Sequence, residues 1–282
     1  MQLMDHRITR HRIAFRLSIA ITLLMVAQSA TGLLFRHLYG DNIFVKSAWY
    51  GNDLITLFVA TPLMIATLLL VARHSIKAYS IWWGVLAYVF YNYSFYLFGA
   101  ALNSFFLLYV ALFTLSGYAL ILELSSVCIE TFRAATWGRV PVAPLSIYMA
   151  VWGVFLTGVW LAQSLNFIFT GTIPEIVIAT DHPTNITAAL DLSIMVPAVL
   201  LGATLIWKRN PWGLVLAIMM NVKGALYALV LATGSIVAAR AGIPEVESQI
   251  PLWFFLSGAS LLCCFLLLGR WSPADQKPPV SG

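Results

Sequence analysis

"NDLITLFVATPLMIATLLLVAR", residues 52–73, runs from Asp53 to Arg73 without a charge between them. At about 1.5 Å of rise per residue, such a run crosses the roughly 30 Å of a bilayer's hydrocarbon as a single helix. The rest of the chain is of the same kind. Of its 282 residues, 61% are apolar and only 10% charged, with a mean hydropathy of +0.88. That composition belongs to a polytopic membrane protein and excludes an ordinary soluble domain. Eight runs are long enough to cross: 14–35, 54–72, 79–98, 104–124, 145–169, 187–207, 212–238 and 250–269. The first is expected to be a retained helix and not a cleaved signal peptide, because its apolar run is long.

The opening stretch has an echo in "LDLSIMVPAVLLGATLIWK" at 190–208. Both contain Asp-Leu, both carry a proline (Pro62, Pro197), and both reach a basic residue eleven positions after it (Arg73, Lys208). The following runs agree as well: "WGVLAYVFYN" at 83–92 matches "WGLVLAIMMN" at 212–221, with Trp-Gly and then an asparagine. The expected fold is therefore an all-α polytopic membrane protein of eight transmembrane helices, built as two four-helix repeats of parallel topology. The repeats span 1–124 and 145–270, joined by a cytoplasmic loop at 125–144 and followed by a cytoplasmic tail at 271–282. Because four is even, both repeats enter from the same side, and their pseudo-two-fold axis lies along the membrane normal.

The basic residues orient this bundle. Arg7, Arg10, Arg12, Arg16, Arg73, Lys77, Arg133, Arg139, Lys208, Arg209, Arg270 and Lys277 fall on one face of an eight-span chain, against Arg36, Lys46 and Arg240 on the other. The positive-inside rule then puts both termini in the cytoplasm and the protein in the plasma (inner) membrane. The net charge of +5 reflects these scattered anchors; they form no basic patch, so nucleic acid is not an expected partner and membrane lipids are. The acids include four on the cytoplasmic side (Asp5, Glu123, Glu130 and Asp275) and seven toward the outer half, Asp53 and Asp191 among them.

One basic residue fits neither face. Lys223 lies mid-span, and a lysine there costs about 2.5 kcal/mol or more unless it faces a bundle interior or a wet cavity. Asp191 is its first expected partner, met directly or through a water or ligand. Asn92 and Asn221, each nine residues past its tryptophan, fall near the bilayer middle as an expected pseudo-symmetric pair. Tyr88, Asn92 and Tyr96 share one side of the third span, and Lys223 shares a stripe with Met219, Met220 and Tyr227. Asp53 is expected at the mouth, close to the outer surface. Asn103, Gln163 and Asn166 thicken the rim, and Asp181, His182, Thr184 and Asn185 are placed to cover it.

These residues converge on a small-molecule, lipid or ion transporter with an outward-opening polar pocket between the two repeats. The expected lining is Asp53, Tyr88, Asn92, Tyr96, Asp191, Asn221, Lys223 and Tyr227. Two alternatives stay open: an intramembrane enzyme acting on a lipid or isoprenoid, with Asp191 or Asp53 as general acid, and a sensor or ligand-binding module. Metal-binding, prenyl-diphosphate, hydrolase-elbow and phosphate-loop motifs are missing from the sequence, and the three cysteines, Cys128, Cys263 and Cys264, lack metal or redox spacing. No cofactor and no metal are expected.

Overall fold

In hydrocarbon a backbone N–H or C=O has no water to bond, so a long apolar run satisfies itself only as a helix. The computed structural model describes residues 2–136 and 140–269, and among those it consists of helices and short connections. In chain order these are α1 (Gln2–Leu34), α2 (Ile43–Ile55), α3 (Thr61–Val71), α4 (Ile76–Gly99), α5 (Phe106–Leu124), α6 (Ile129–Thr136) and α7 (Val142–Thr170). After them come α8 (Glu175–Thr180), α9 (Ile186–Leu190), α10 (Val196–Trp207), α11 (Pro211–Arg240) and α12 (Ile250–Leu268). The expected tail 271–282 with Asp275 and Lys277, and the basic residues Arg139 and Arg270, lie outside the described residues. The stretch 125–144 is not a plain loop: α6 occupies part of it, Phe132 is buried 5.5 Å from the Trp83 ring, and α7 begins at Val142.

Seven helices among the described residues are long and apolar enough to cross a membrane. They are His6–Leu34, Ile43–Val71, Phe106–Leu124, Val142–Thr170, Ile186–Trp207, Pro211–Arg240 and Val246–Leu268. The expected third span is α4, whose 24 residues are sufficient in length but carry the hydroxyls and the amide of "YVFYNYSFY". Its composition has a physical reason. Most of its side chains are buried against α3, α5 and α11, so it has little lipid to satisfy and room for polar groups bonded to neighbours.

Two of the crossing helices share a defect. Ile43–Val71 is interrupted by a π-helical turn at Thr56–Ala60 and Ile186–Trp207 by another at Asp191–Met195. Each turn ends just before a helix with proline in its first turn, Pro62 and Pro197. Proline lacks an N–H and its ring clashes with the carbonyl four residues back, Phe58 or Ser193 here; the wider turn absorbs that mismatch.

Packing centres on α11, which lies against α2, α4, α10 and α12. Its crossing with α2 is glycine on glycine: a Cβ on Gly51 would sit 2.8 Å from Gly234 Cα, so the backbones approach as no larger residue allows. The two ends of the bundle differ. α1 packs along α5, and His11 Nδ1 meets the buried carboxylate of Glu123 at 2.9 Å, with Trp83 Nε1 donating to its other oxygen at 3.4 Å. α7 and α12 meet only sparsely, by a 3.1 Å hydrogen bond between the Tyr148 and Ser260 hydroxyls.

Candidate binding site

Asp53 ends the regular part of α2 facing inward and is fully buried. Three side chains donate to it: Tyr39 Oη to Oδ2 at 2.6 Å, Tyr96 Oη to Oδ1 at 2.9 Å and Gln28 Nε2 to Oδ1 at 3.1 Å. Tyr93 Oη donates to Gln28 Oε1 at 2.9 Å, so the network is continuous from α1 to α4. Trp49, Tyr96 and Tyr109 stack beside it, with ring centroids 4.4 and 4.9 Å apart. The carboxylate fits only because residue 32 is glycine: an added Cβ there would collide with Asp53 Oδ2 and the Tyr39 hydroxyl. Burial, and then Asp53, raise the Tyr39 phenol above its ordinary value, which keeps it a donor. This knot ties α1, α2 and α4 together and engages both carboxylate oxygens.

The second cluster is built differently. Asp191, at the start of its π-helical turn, accepts from Tyr91 Oη at 2.6 Å and from Trp160 Nε1 at 2.9 Å. Lys223 is 2% exposed, and no carboxylate lies within 4.0 Å of it among the described residues. Its Nζ stands 3.4 Å over the Tyr91 ring and 4.7 Å from the Tyr227 ring, and it donates to Met195 Sδ at 3.0 Å. Tyr91 thus links the two charges, with its hydroxyl on Asp191 and its ring face under Lys223. A desolvated cation on an aromatic face gains about 2 kcal/mol, and a thioether is a weak acceptor, so the ammonium lacks the oxygen partners that a buried one ordinarily has.

Both charges face a cavity of about 470 Å³. α7, α11 and α12 enclose it with the π-helical turn at Asp191–Met195, the inner edge of α2 and Phe95 of α4, and its wall is mainly apolar and aromatic. Ile176, Thr180, His182, Val246 and Gln249 close one end. Asn42 Nδ2 pins that cover by donating to Ala179 O at 2.9 Å, and Asn185 Nδ2 donates to Gln163 Oε1 at 3.3 Å. His182 Nε2 is buried without a partner among the described residues. Burial lowers the His182 imidazole below its ordinary value, against the opposing pull of Asp41 and Asp181.

The structure therefore brings together only part of the expected lining. Asp191, Lys223 and Tyr227 face the cavity, with Gln163 and His182 at its rim. Asp53 is not at a mouth near the surface but sealed in its own network, and Tyr96 belongs to that network. Tyr88 bonds the Thr56 hydroxyl at 2.8 Å beneath the first π-helical turn. Asn92 and Asn221 do not pair: Asn221 Nδ2 donates to Ala217 O at 2.8 Å in its own helix, and both polar atoms of Asn92 are buried without a partner among the described residues. The cavity lies mainly inside the second group of helices, not midway between two halves.

Sequence reasoning missed Tyr91, Trp160 and Met195. Tyr91 was visible in the aromatic run, and Phe95, four residues on, shares its stripe and lines the cavity. Nothing in the sequence distinguished Trp160 from the other tryptophans.

Compared with known proteins, the chain matches no family model, no curated protein and no solved structure.

Proposed function

We propose that the chain is a membrane transporter for a small molecule, which it binds in the cavity beside Lys223 and Asp191. The observation that carries this reading is a buried lysine in the wall of a cavity of about 470 Å³ with, among the described residues, no oxygen acceptor and no carboxylate within 4.0 Å. Such a group is costly to insert and is ordinarily retained where it meets a ligand or an ion. The matched π-helical turns support movement as well as binding, since irregular turns at prolines are places where a membrane helix bends at low cost.

In this reading α4 is the eighth span, both termini face the cytoplasm of an inner membrane, and the covered end of the cavity is external. The two groups of four helices are diverged repeats. The first has become scaffold around Asp53, and the second carries the ligand.

The test is transport by reconstituted protein. Proteoliposomes are incubated with a small-molecule and lipid extract, washed, and their contents compared by mass spectrometry with those of protein-free vesicles. At least one compound is enriched with the native protein and falls to background with Lys223→Met and with Asp191→Asn. Enrichment that survives both substitutions removes this cavity from the pathway. No enrichment with the native protein removes transport.

A further inference from the structure

The chemistry of the cavity narrows what it holds. Lys223 and Asp191 both line it and are joined through Tyr91, and whichever of them holds the proton, the pair sums to no net charge. A ligand bearing a full charge of either sign would leave that charge uncompensated in a poorly solvated space.

Hydrogen bonding is one-sided. Both Asp191 oxygens already accept, from Tyr91 and Trp160, whereas Lys223 donates only to a thioether and lies on two ring faces. The Tyr227 hydroxyl makes no hydrogen bond among the described residues. Lys223 is thus the donor left without an oxygen partner among the described residues.

The remaining wall favours a hydrocarbon. Phe44, Leu156, Val159, Leu231, Trp253 and Leu256 line it, and α7 and α12 on either side of it scarcely touch. Their outward residues, such as Val154 and Phe155 on α7 and Phe254 and Phe255 on α12, are exposed at the surface that faces lipid.

We infer that the cavity takes an uncharged, single-tailed amphiphile whose carbonyl oxygen accepts from Lys223 and whose tail lies between α7 and α12. This rests on the binding role proposed above and specifies the class of ligand. The tail reaches its place from the bilayer, through the gap between the two helices.

The probes are 2-tridecanone, dodecanoate, dodecylamine and tridecane, which share a tail and differ in the head. The melting temperature of the purified protein in nonionic detergent is followed by intrinsic tryptophan fluorescence as each is titrated. A ligand bound only by the folded state raises it in proportion to RT ln(1 + [L]/Kd). The ketone raises the melting temperature of the native protein, and the two charged probes bind at least tenfold more weakly. The ketone shift is lost in Lys223→Met, and also in Leu156→Trp, which fills the tail's place and leaves Lys223 intact. A larger, Lys223-dependent shift with dodecanoate or dodecylamine overturns the uncharged head while leaving the cavity a binding site. A ketone shift matched by tridecane, or retained in Lys223→Met, overturns the contact with Lys223. No shift with any probe overturns the inference, and transport is then judged by vesicle contents alone.

Discussion

Replacing Gly32 by alanine tests how Asp53 is held. The new methyl would collide with Asp53 Oδ2 and the Tyr39 hydroxyl, the two atoms of a 2.6 Å hydrogen bond, so one or both must move. A hydrogen bond to a charged group contributes about 1.5–3 kcal/mol, and forcing a side chain off its rotamer costs about 0.5–1.5 kcal/mol more. Against this, alanine is the better helix former by up to about 1 kcal/mol. The net expectation is a loss of about 2 kcal/mol, roughly a thirtyfold shift in the folding equilibrium. The assay is thermal unfolding in nonionic detergent, followed by tryptophan fluorescence. Gly158→Ala is the control, because a methyl there meets nothing within 4 Å and should leave the protein as stable or slightly more so. If Gly32→Ala melts no lower than Gly158→Ala, the carboxylate is not seated on the glycine face and the account of that knot is wrong.

Three other outcomes follow from the same geometry. Glu123→Gln replaces the carboxylate that meets His11 at 2.9 Å and Trp83 at 3.4 Å by an amide with a single acceptor oxygen, so one of these contacts weakens and the melting temperature falls; a hydrogen bond to a charged group contributes about 1.5–3 kcal/mol. The double variant with His11→Gln should recover part of the loss. Tyr91→Phe keeps the ring under Lys223 but removes the donor to Asp191, so transport in the vesicle assay should fall sharply while stability drops by only about 1–3 kcal/mol. The imidazole of His182 is lowered by burial, so the stability that it contributes is present above its ordinary value of 6.5 and is lost as pH falls below it. Melting temperature measured between neutral and mildly acidic pH should therefore decline, and His182→Gln should flatten that decline.

Much of the fold was legible because it depends on runs of apolar residues. The boundaries of the runs at 145–169, 212–238 and 250–269 fall within a few residues of α7, α11 and α12. The proline match at Pro62 and Pro197 pointed to the two helices that carry π-helical turns, although proline alone does not specify the wider turn. Lys223 and Asp191 stood out in the sequence because a charge mid-membrane needs an explanation, and both line the cavity. What was not legible is long-range. Asp53 and Asp191 look alike in sequence, each followed by Leu and then Pro. Their fates differ because Gly32, Gln28 and Tyr39, in and beside α1, converge on Asp53, whereas Asp191 is held by Tyr91 and Trp160 and still lines the cavity. The same is true of Asn92 and Asn221: equal depth does not bring two side chains together when their helices present other faces, and Gly84 on α4 packs against Val222 on α11 instead.

An experimental density map of the protein purified from its membrane into nanodiscs shows whether the cavity beside Lys223 is a ligand site. Elongated density is expected between α7 and α12, ending within hydrogen-bonding distance of Lys223 Nζ, with Tyr91 still between Lys223 and Asp191. A closed cavity, with α7 packed on α12 and Lys223 in direct contact with Asp191, would contradict it.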